Sequence, residues 1–272
     1  MSDQGELWSK LIDYAGVFPP AELALNVALS RYQRAVDGPD GWVLGPCLVR
    51  TSQIDDLDLR SAPAALGLVL DQPVAGGTSI PITQVETTTS AVSMAAVVMT
   101  ALELSPIVYV EAADGPDPSF LAEVAALRAG GHDVRAKIRT GGSSAASFPT
   151  VDEVAGFIET CAELSIPFKA TAGLHHPFRS PSTVDEATEH GFVNVLAAVR
   201  STLAGDGEAC RRCLASPDVG EFDLTTATWR GVGGNVPAAT IRRTFRSFGS
   251  CSFDEPVGYL RTLGVLPLER AS

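Results

Sequence analysis

Lysine is almost absent from this chain. Three lysines, Lys10, Lys137 and Lys169, stand against seventeen arginines, so arginine supplies the generic surface charge and each lysine inside an apolar run asks for its own explanation. Long apolar runs are missing too. None approaches the roughly 18 residues needed to span a bilayer, so no membrane partner is expected. The opening Met1-Ser-Asp-Gln-Gly-Glu lacks the basic and apolar regions of a signal peptide, and a cytoplasmic location is expected. Positive charge is scarce: the formal net charge is −12, which argues against a nucleic-acid surface and leaves any functional cation as a local exception. The five cysteines are few and odd in number, which suits free thiols in a reducing compartment. Cys210-Arg-Arg-Cys213 has the spacing of half a zinc site with no second half, and reads as two cysteines on one helix face.

What is present is concentrated between Arg135 and His176. Two segments of similar shape, Arg135-Ala-Lys-Ile-Arg-Thr-Gly-Gly142 and Pro167-Phe-Lys-Ala-Thr-Ala-Gly-Leu-His-His176, each carry a lysine inside a β-like run and close on glycine. Between them Thr150-Val-Asp-Glu153 is a capping box, and Val151, Val154, Ile158 and Cys161 follow at helical spacing. The unit reads strand, loop, helix, strand, which in a parallel βαβ arrangement opens both glycine-bearing ends on the same side of the sheet. Period-two alternation puts Lys137 and Arg139 on one face of the first strand and Lys169 and Thr171 on one face of the second.

Further apolar runs bounded by Pro, Gly or Asp fall at Leu11–Tyr14, Trp42–Val49, Ala65–Leu70, Ile82–Thr87, Ile107–Glu111 and Ser247–Phe253. With the two lysine strands they make eight. The chain length suits one α/β domain, a (β/α)8 TIM barrel, with 174–246 inserted between the last two barrel strands. Within that insertion the pattern predicts helices over Val184–Leu203 and Gly207–Leu214 and a strand over Phe222–Trp229. Its position after the Lys169 strand predicts a lid over the barrel mouth, with His175 and His176 at its root. Glu86 and Glu111 near strand ends each need a cation, and Lys137, Arg139 and Lys169 are the candidates. Asp13 reads either as a functional carboxylate or as a loop or cap residue.

Six short stretches, in order, resemble the deoxyribose-phosphate aldolase family. Leu11-Ile-Asp-Tyr-Ala resembles the family's Ile-Asp-His-Thr, Val85-Glu86 its Val-Asp and Val108-Tyr-Val-Glu111 its Val-Ile-Ile-Glu. Lys137-Ile-Arg-Thr-Gly141 resembles Lys-Thr-Ser-Thr-Gly, Phe168-Lys-Ala-Thr-Ala-Gly173 resembles Phe-Lys-Pro-Ala-Gly-Gly, and Phe248-Gly-Ser-Cys-Ser252 resembles Phe-Gly-Ala-Ser-Ser. The resemblance implies a class I aldolase in which Lys137 forms a Schiff base, Lys169 lowers its pKa, and Glu86 stands where the family has a proton-shuttling aspartate; Glu86 or Glu111 would relay protons. It implies substrate contacts from Asp13, Arg139, Thr140, Gly141, Thr171, Gly173, His175 and His176, and phosphate contacts from Gly249, Ser250 and Ser252. The chain departs where Arg139 replaces a serine, Ala172 a glycine, and His175 a common arginine.

The implied partner is a small aldehyde or ketone, phosphorylated or carboxylated, with no organic cofactor and no metal; a homo-oligomer stays open. Two other readings compete. A metal-dependent lyase or isomerase would draw on Glu86, Glu111, His175 and His176, and a non-catalytic barrel would only bind.

Overall fold

The computed structural model describes residues 3–57, 62–72, 79–113, 115, 117–184 and 186–267. Eight strands close into a parallel barrel in chain order: β1 (Ile12–Tyr14), β2 (Leu44–Arg50), β3 (Leu66–Val69), β4 (Gln84–Thr89), β5 (Ile107–Ala112), β6 (Asp133–Arg139), β7 (Phe168–Thr171) and β8 (Phe245–Ser250), with β8 pairing back onto β1. The molecule is thus an α/β barrel of the (β/α)8 type. All eight runs marked by composition became barrel strands, because short Val- and Leu-rich segments bounded by turn residues have nowhere else to bury both faces.

Helices Leu25–Asp37, Met94–Leu102, Pro118–Ala129 and Val151–Glu163 supply crossovers, and Asp254–Thr262 follows β8. Between β2 and β3 the described residues hold a 3-10 helix, Thr51–Asp56. The capping box forms as read: Thr150 N donates to Glu153 Oε2 at 2.7 Å, and Glu153 N donates to Thr150 Oγ1 at 3.2 Å. At the amino-terminal end, helix Asp3–Trp8 packs on helix Ala238–Thr244, and the Arg242 guanidinium donates to the carbonyls of Ser9 and Phe245.

The 174–246 region differs from its reading in three ways. The helix expected from Val184 begins at Phe192, because 180–189 folds into a ribbon pairing Ser180–Pro181 with Thr188–Glu189. Gly191 allows the turn: a Cβ there would lie 2.3 Å from Pro177 O, and Asn194 beside it accepts from Arg179 N while donating to Cys213 O and Ser216 O. The Phe222–Trp229 strand is a tight antiparallel ribbon, Phe222–Asp223 against Thr228–Trp229.

The largest difference is that helix Phe192–Leu203 is no lid. Its first ten residues are all buried, Phe192 stacks on Phe248 with centroids 5.2 Å apart, and the helix packs beside Val151–Glu163 in the outer layer. A helix buried on every side needs cover on every side, and Gly207–Ala215 supplies the outer half. Cys210 and Cys213 belong to that seam. Both thiols are buried, and burial raises the pKa of each.

Candidate active site

Side chains of β1 and β4–β8 alternate, and their inward set is polar. It includes Asp13, Gln84, Glu86, Thr88, Tyr109, Glu111, Arg135, Lys137, Arg139, Lys169, Thr171 and Ser247. In the ladders Glu111 pairs with Lys137 and Lys137 with Lys169, so the groups lie on adjacent strands at one level. The parity argument for Lys137, Arg139, Lys169 and Thr171 therefore carries over to the folded chain.

Three cations face three carboxylates here. Lys137 Nζ lies 3.2 Å from Glu86 Oε2 and 3.0 Å from Glu111 Oε2. Arg139 Nε donates to Glu111 Oε1 at 2.8 Å. Lys169 Nζ donates to Glu86 Oε1 at 2.5 Å and to Asp13 Oδ2, and sits 5.4 Å from the centroid of the Tyr109 ring. Gln84 Nε2 bridges Asp13 Oδ2 and Glu86 Oε1 at 3.2 and 3.1 Å, and Ser247 Oγ donates to Asp13 Oδ2 at 2.8 Å. A buried charge is tolerable only when paired and hydrogen-bonded, and each of these is.

The electrostatics follow from who touches whom. Burial opposes ionisation of Glu86, but two lysines overcome it and hold its carboxyl at about 2. Asp13 is raised by the same burial, since it has one lysine and the Glu86 charge nearby. Burial disfavours the Lys169 ammonium, yet Asp13 and Glu86 outweigh it and push the pKa above the ordinary lysine value. The Glu86 carboxylate stands between the two lysines, one oxygen to each.

Access separates the two lysines. The Lys169 side chain is fully buried, whereas Lys137 keeps 5% of its side-chain exposure and borders a cavity of about 520 Å³. Interior-facing Glu111 and Arg139 border the same cavity, as do Ile138, Phe120, Phe148, Pro149 and Phe157. It therefore lies over the carboxyl ends of β5 and β6, between the barrel mouth and the helical layer. Glu111 Oε2 faces Lys137 but accepts no hydrogen bond, which leaves it a free lone pair in a buried setting.

The remaining predicted residues scatter. Thr140 is a strut, donating to the carbonyls of Thr171 and Ala172. Gly141 and Gly173 exist for close approach, since a Cβ on Gly141 would lie 2.8 Å from Gly173 Cα, and Gly173 has φ +77°. Thr171 and Gly249 are ladder partners, and Ser250 Oγ donates to Ser252 O at 2.6 Å. His175 Nδ1 meets Glu255 at 3.2 Å and His176 Nδ1 meets Tyr259 OH at 2.9 Å, so both tie the loop after β7 to the last helix. His190 is buried and donates Nε2–H to Pro149 O at 2.8 Å. No hydrogen bond or ion pair joins these histidines to Glu86 or Glu111, and among the described residues no group of three His, Cys, Asp or Glu side chains could hold a metal.

Gln84, Tyr109, Arg135 and Ser247 were missed by the sequence reading. Three of them lie two residues before Glu86, Glu111 and Lys137, and Ser247 two before Gly249, so the same period-two rule reaches them all. No protein-family model, curated protein or solved structure matches the chain. Among the described residues no helix is long and apolar enough to cross a membrane.

Proposed function

We propose that the protein is an aldolase-like carbon–carbon lyase that works through a Schiff base on Lys137. The observation that carries this reading is the placement of Lys137 Nζ between two carboxylates at a cavity edge, while the other interior lysine is sealed behind it. An amine held at the end of a barrel strand, with a base on one side and a fixed anion on the other, has what imine chemistry needs.

In the proposed sequence, Glu111 Oε2 takes a proton from Lys137, and the neutral amine adds to a carbonyl carbon to give a carbinolamine. Glu111 returns the proton to the carbinolamine oxygen, which leaves as water and forms the iminium. Glu111, ionised again, then takes either the proton of the α carbon or the proton of a β-hydroxyl as the Cα–Cβ bond breaks and an aldehyde departs, and the enamine results. Attack of that enamine on an aldehyde, followed by water addition, forms the new bond and frees the lysine. Both Glu86 oxygens are already committed, one to each lysine, whereas Glu111 Oε2 accepts no hydrogen bond; Glu86 acts as the anion that stabilises the iminium. This gives the shuttle to Glu111 in preference to Glu86. Asp13, Gln84, Ser247 and Lys169 act by holding the Glu86 carboxylate in place.

The test is borohydride reduction of the protein incubated with small aldehydes and ketones, followed by peptide mass spectrometry. A reduced adduct on Lys137, lost in Lys137→Ala, is expected. An adduct confined to Lys169 or Lys10, or none with any carbonyl compound, overturns the assignment. Chelator-sensitive turnover without an adduct would favour metal chemistry.

A further inference from the structure

Resting on the Schiff-base reading, we propose that the substrate is an unphosphorylated carbonyl compound with an apolar, ring-sized body and a carboxylate gripped by Arg139. Three features of the cavity carry this.

The first is its walls. The lining is mixed: half-buried Phe148 and Pro149 offer an apolar face, backed by the buried Phe120, Phe157 and Ile138, beside the polar Ser147 and Glu153, and about 520 Å³ is ample for a body of benzene-ring size. A small hydroxylated aldehyde would leave the Phe148 ring partly in water and gain nothing from it.

The second is a guanidinium with spare capacity. Arg139 spends Nε on Glu111 Oε1 at 2.8 Å, and its two terminal nitrogens have no partner among the described residues. Its side chain is half exposed at the cavity border. That paired edge matches the two oxygens of a carboxylate. Lys137 and Arg139 share one strand face about 6.6 Å apart along the strand, so a carbonyl and a carboxylate on one small molecule can be met together.

The third is that the places where a phosphate would be cradled already hold carboxylates. The Val151–Glu163 helix start borders the cavity through Glu153, whose Oε2 accepts from Thr150 N and Thr150 Oγ1. The Asp254–Thr262 helix carries Asp254 and Glu255 in its first turn. Ahead of it, Ser250 Oγ donates to Ser252 O, and Ser252 Oγ accepts from Glu255 N. A phosphate dianion in the cavity would meet the Glu153 carboxylate at the Val151–Glu163 helix start, whereas a single carboxylate needs only Arg139.

Three probes separate the outcomes: 2-oxo-4-phenylbutanoate, which has ring and carboxylate; 4-phenyl-2-butanone, which has the ring alone; and glycolaldehyde phosphate. The readout is the concentration that half-saturates borohydride labelling of Lys137. The oxo acid is expected to half-saturate at least tenfold below the other two. Arg139→Gln should raise its value at least fivefold more than that of the ketone, a ratio that cancels any general effect on Glu111. Phe148→Ala should weaken both ring-bearing probes. If Lys137 is labelled but the phosphate ester saturates first, or Arg139→Gln shifts oxo acid and ketone equally, this substrate class is wrong while the Schiff base stands. If no probe labels Lys137, the Schiff base falls and this proposal with it.

Discussion

Strands β6 and β7 carry lysines in nearly the same local setting, and the fold gives the two opposite fates. Lys137 and Lys169 are ladder partners, both point inward, and both are followed two residues later by an inward polar group. The difference comes from the strands on their far sides. Next to β6 lies β5, which sets Glu111 level with Lys137 and leaves the pair under the open ends of the strands. Next to β7 lies β8, whose inward Ser247 and Gly249 are small, so Lys169 reaches across to Asp13 on β1 and is walled in by Tyr109. One lysine became a reachable amine and the other a structural cation. The surroundings of an interior lysine are thus set by its neighbouring strands more than by its own motif.

The sharpest way to break this comparison is to remove each ammonium in turn. Lys169→Met leaves Asp13 and Glu86 facing each other without their shared cation, and should cost ~3–5 kcal/mol in urea unfolding. Lys137→Met leaves Glu86 with Lys169 and Glu111 with Arg139, and a smaller loss of about 1–3 kcal/mol is expected. Equal losses would mean the two lysines are energetically alike and the assigned division is wrong.

Acid titration sharpens the same point. The Glu86 pKa is lowered from the ordinary 4.5 to about 2 on folding, so its contribution to stability is complete above about pH 4.5 and is lost as pH falls towards 2. Deleting Lys137 removes one of the two cations that hold it down. In Lys137→Met the folded carboxyl should titrate nearer 4.5, so the acid limb should begin at the same pH but level off at a higher pH, with a smaller total loss, than in the unaltered protein.

The two glycine closures offer a third comparison. Gly173→Ala puts a Cβ 2.7 Å from Thr140 O at φ +77°, and a loss of about 1–3 kcal/mol is expected from the thermal midpoint. The smallest effect belongs to the connecting helix. Thr150→Ala removes the reciprocal cap and should cost ~1 kcal/mol, with Lys137 labelling little changed because the strands keep their register.

The barrel was legible because its evidence is local. Eight short apolar runs, the Thr150–Glu153 cap and the period-two faces around Lys137 and Lys169 are properties of a few adjacent residues, and local sterics and burial act on them directly. The same rule, extended by two residues, also reaches Gln84, Tyr109 and Arg135. The 174–246 region was misread for the opposite reason. Its helix start depends on Gly191 fitting against the Pro177 backbone, and its place in the outer layer depends on Phe192 meeting Phe248, contacts between residues that the chain alone does not bring together.

At the site the division is similar. By itself the sequence determined which side chains share a strand face, because alternation is set by backbone geometry; which of the two faces turned inward was decided when the barrel closed. Only the tertiary structure decided that Glu86 divides its two oxygens between the lysines, that Lys169 is sealed while Lys137 borders a cavity, and that His175 and His176 turn to Glu255 and Tyr259. Those outcomes turn on which strands become neighbours when the sheet closes and on charge balance in a space that water barely enters, and both are properties of the closed barrel as a whole.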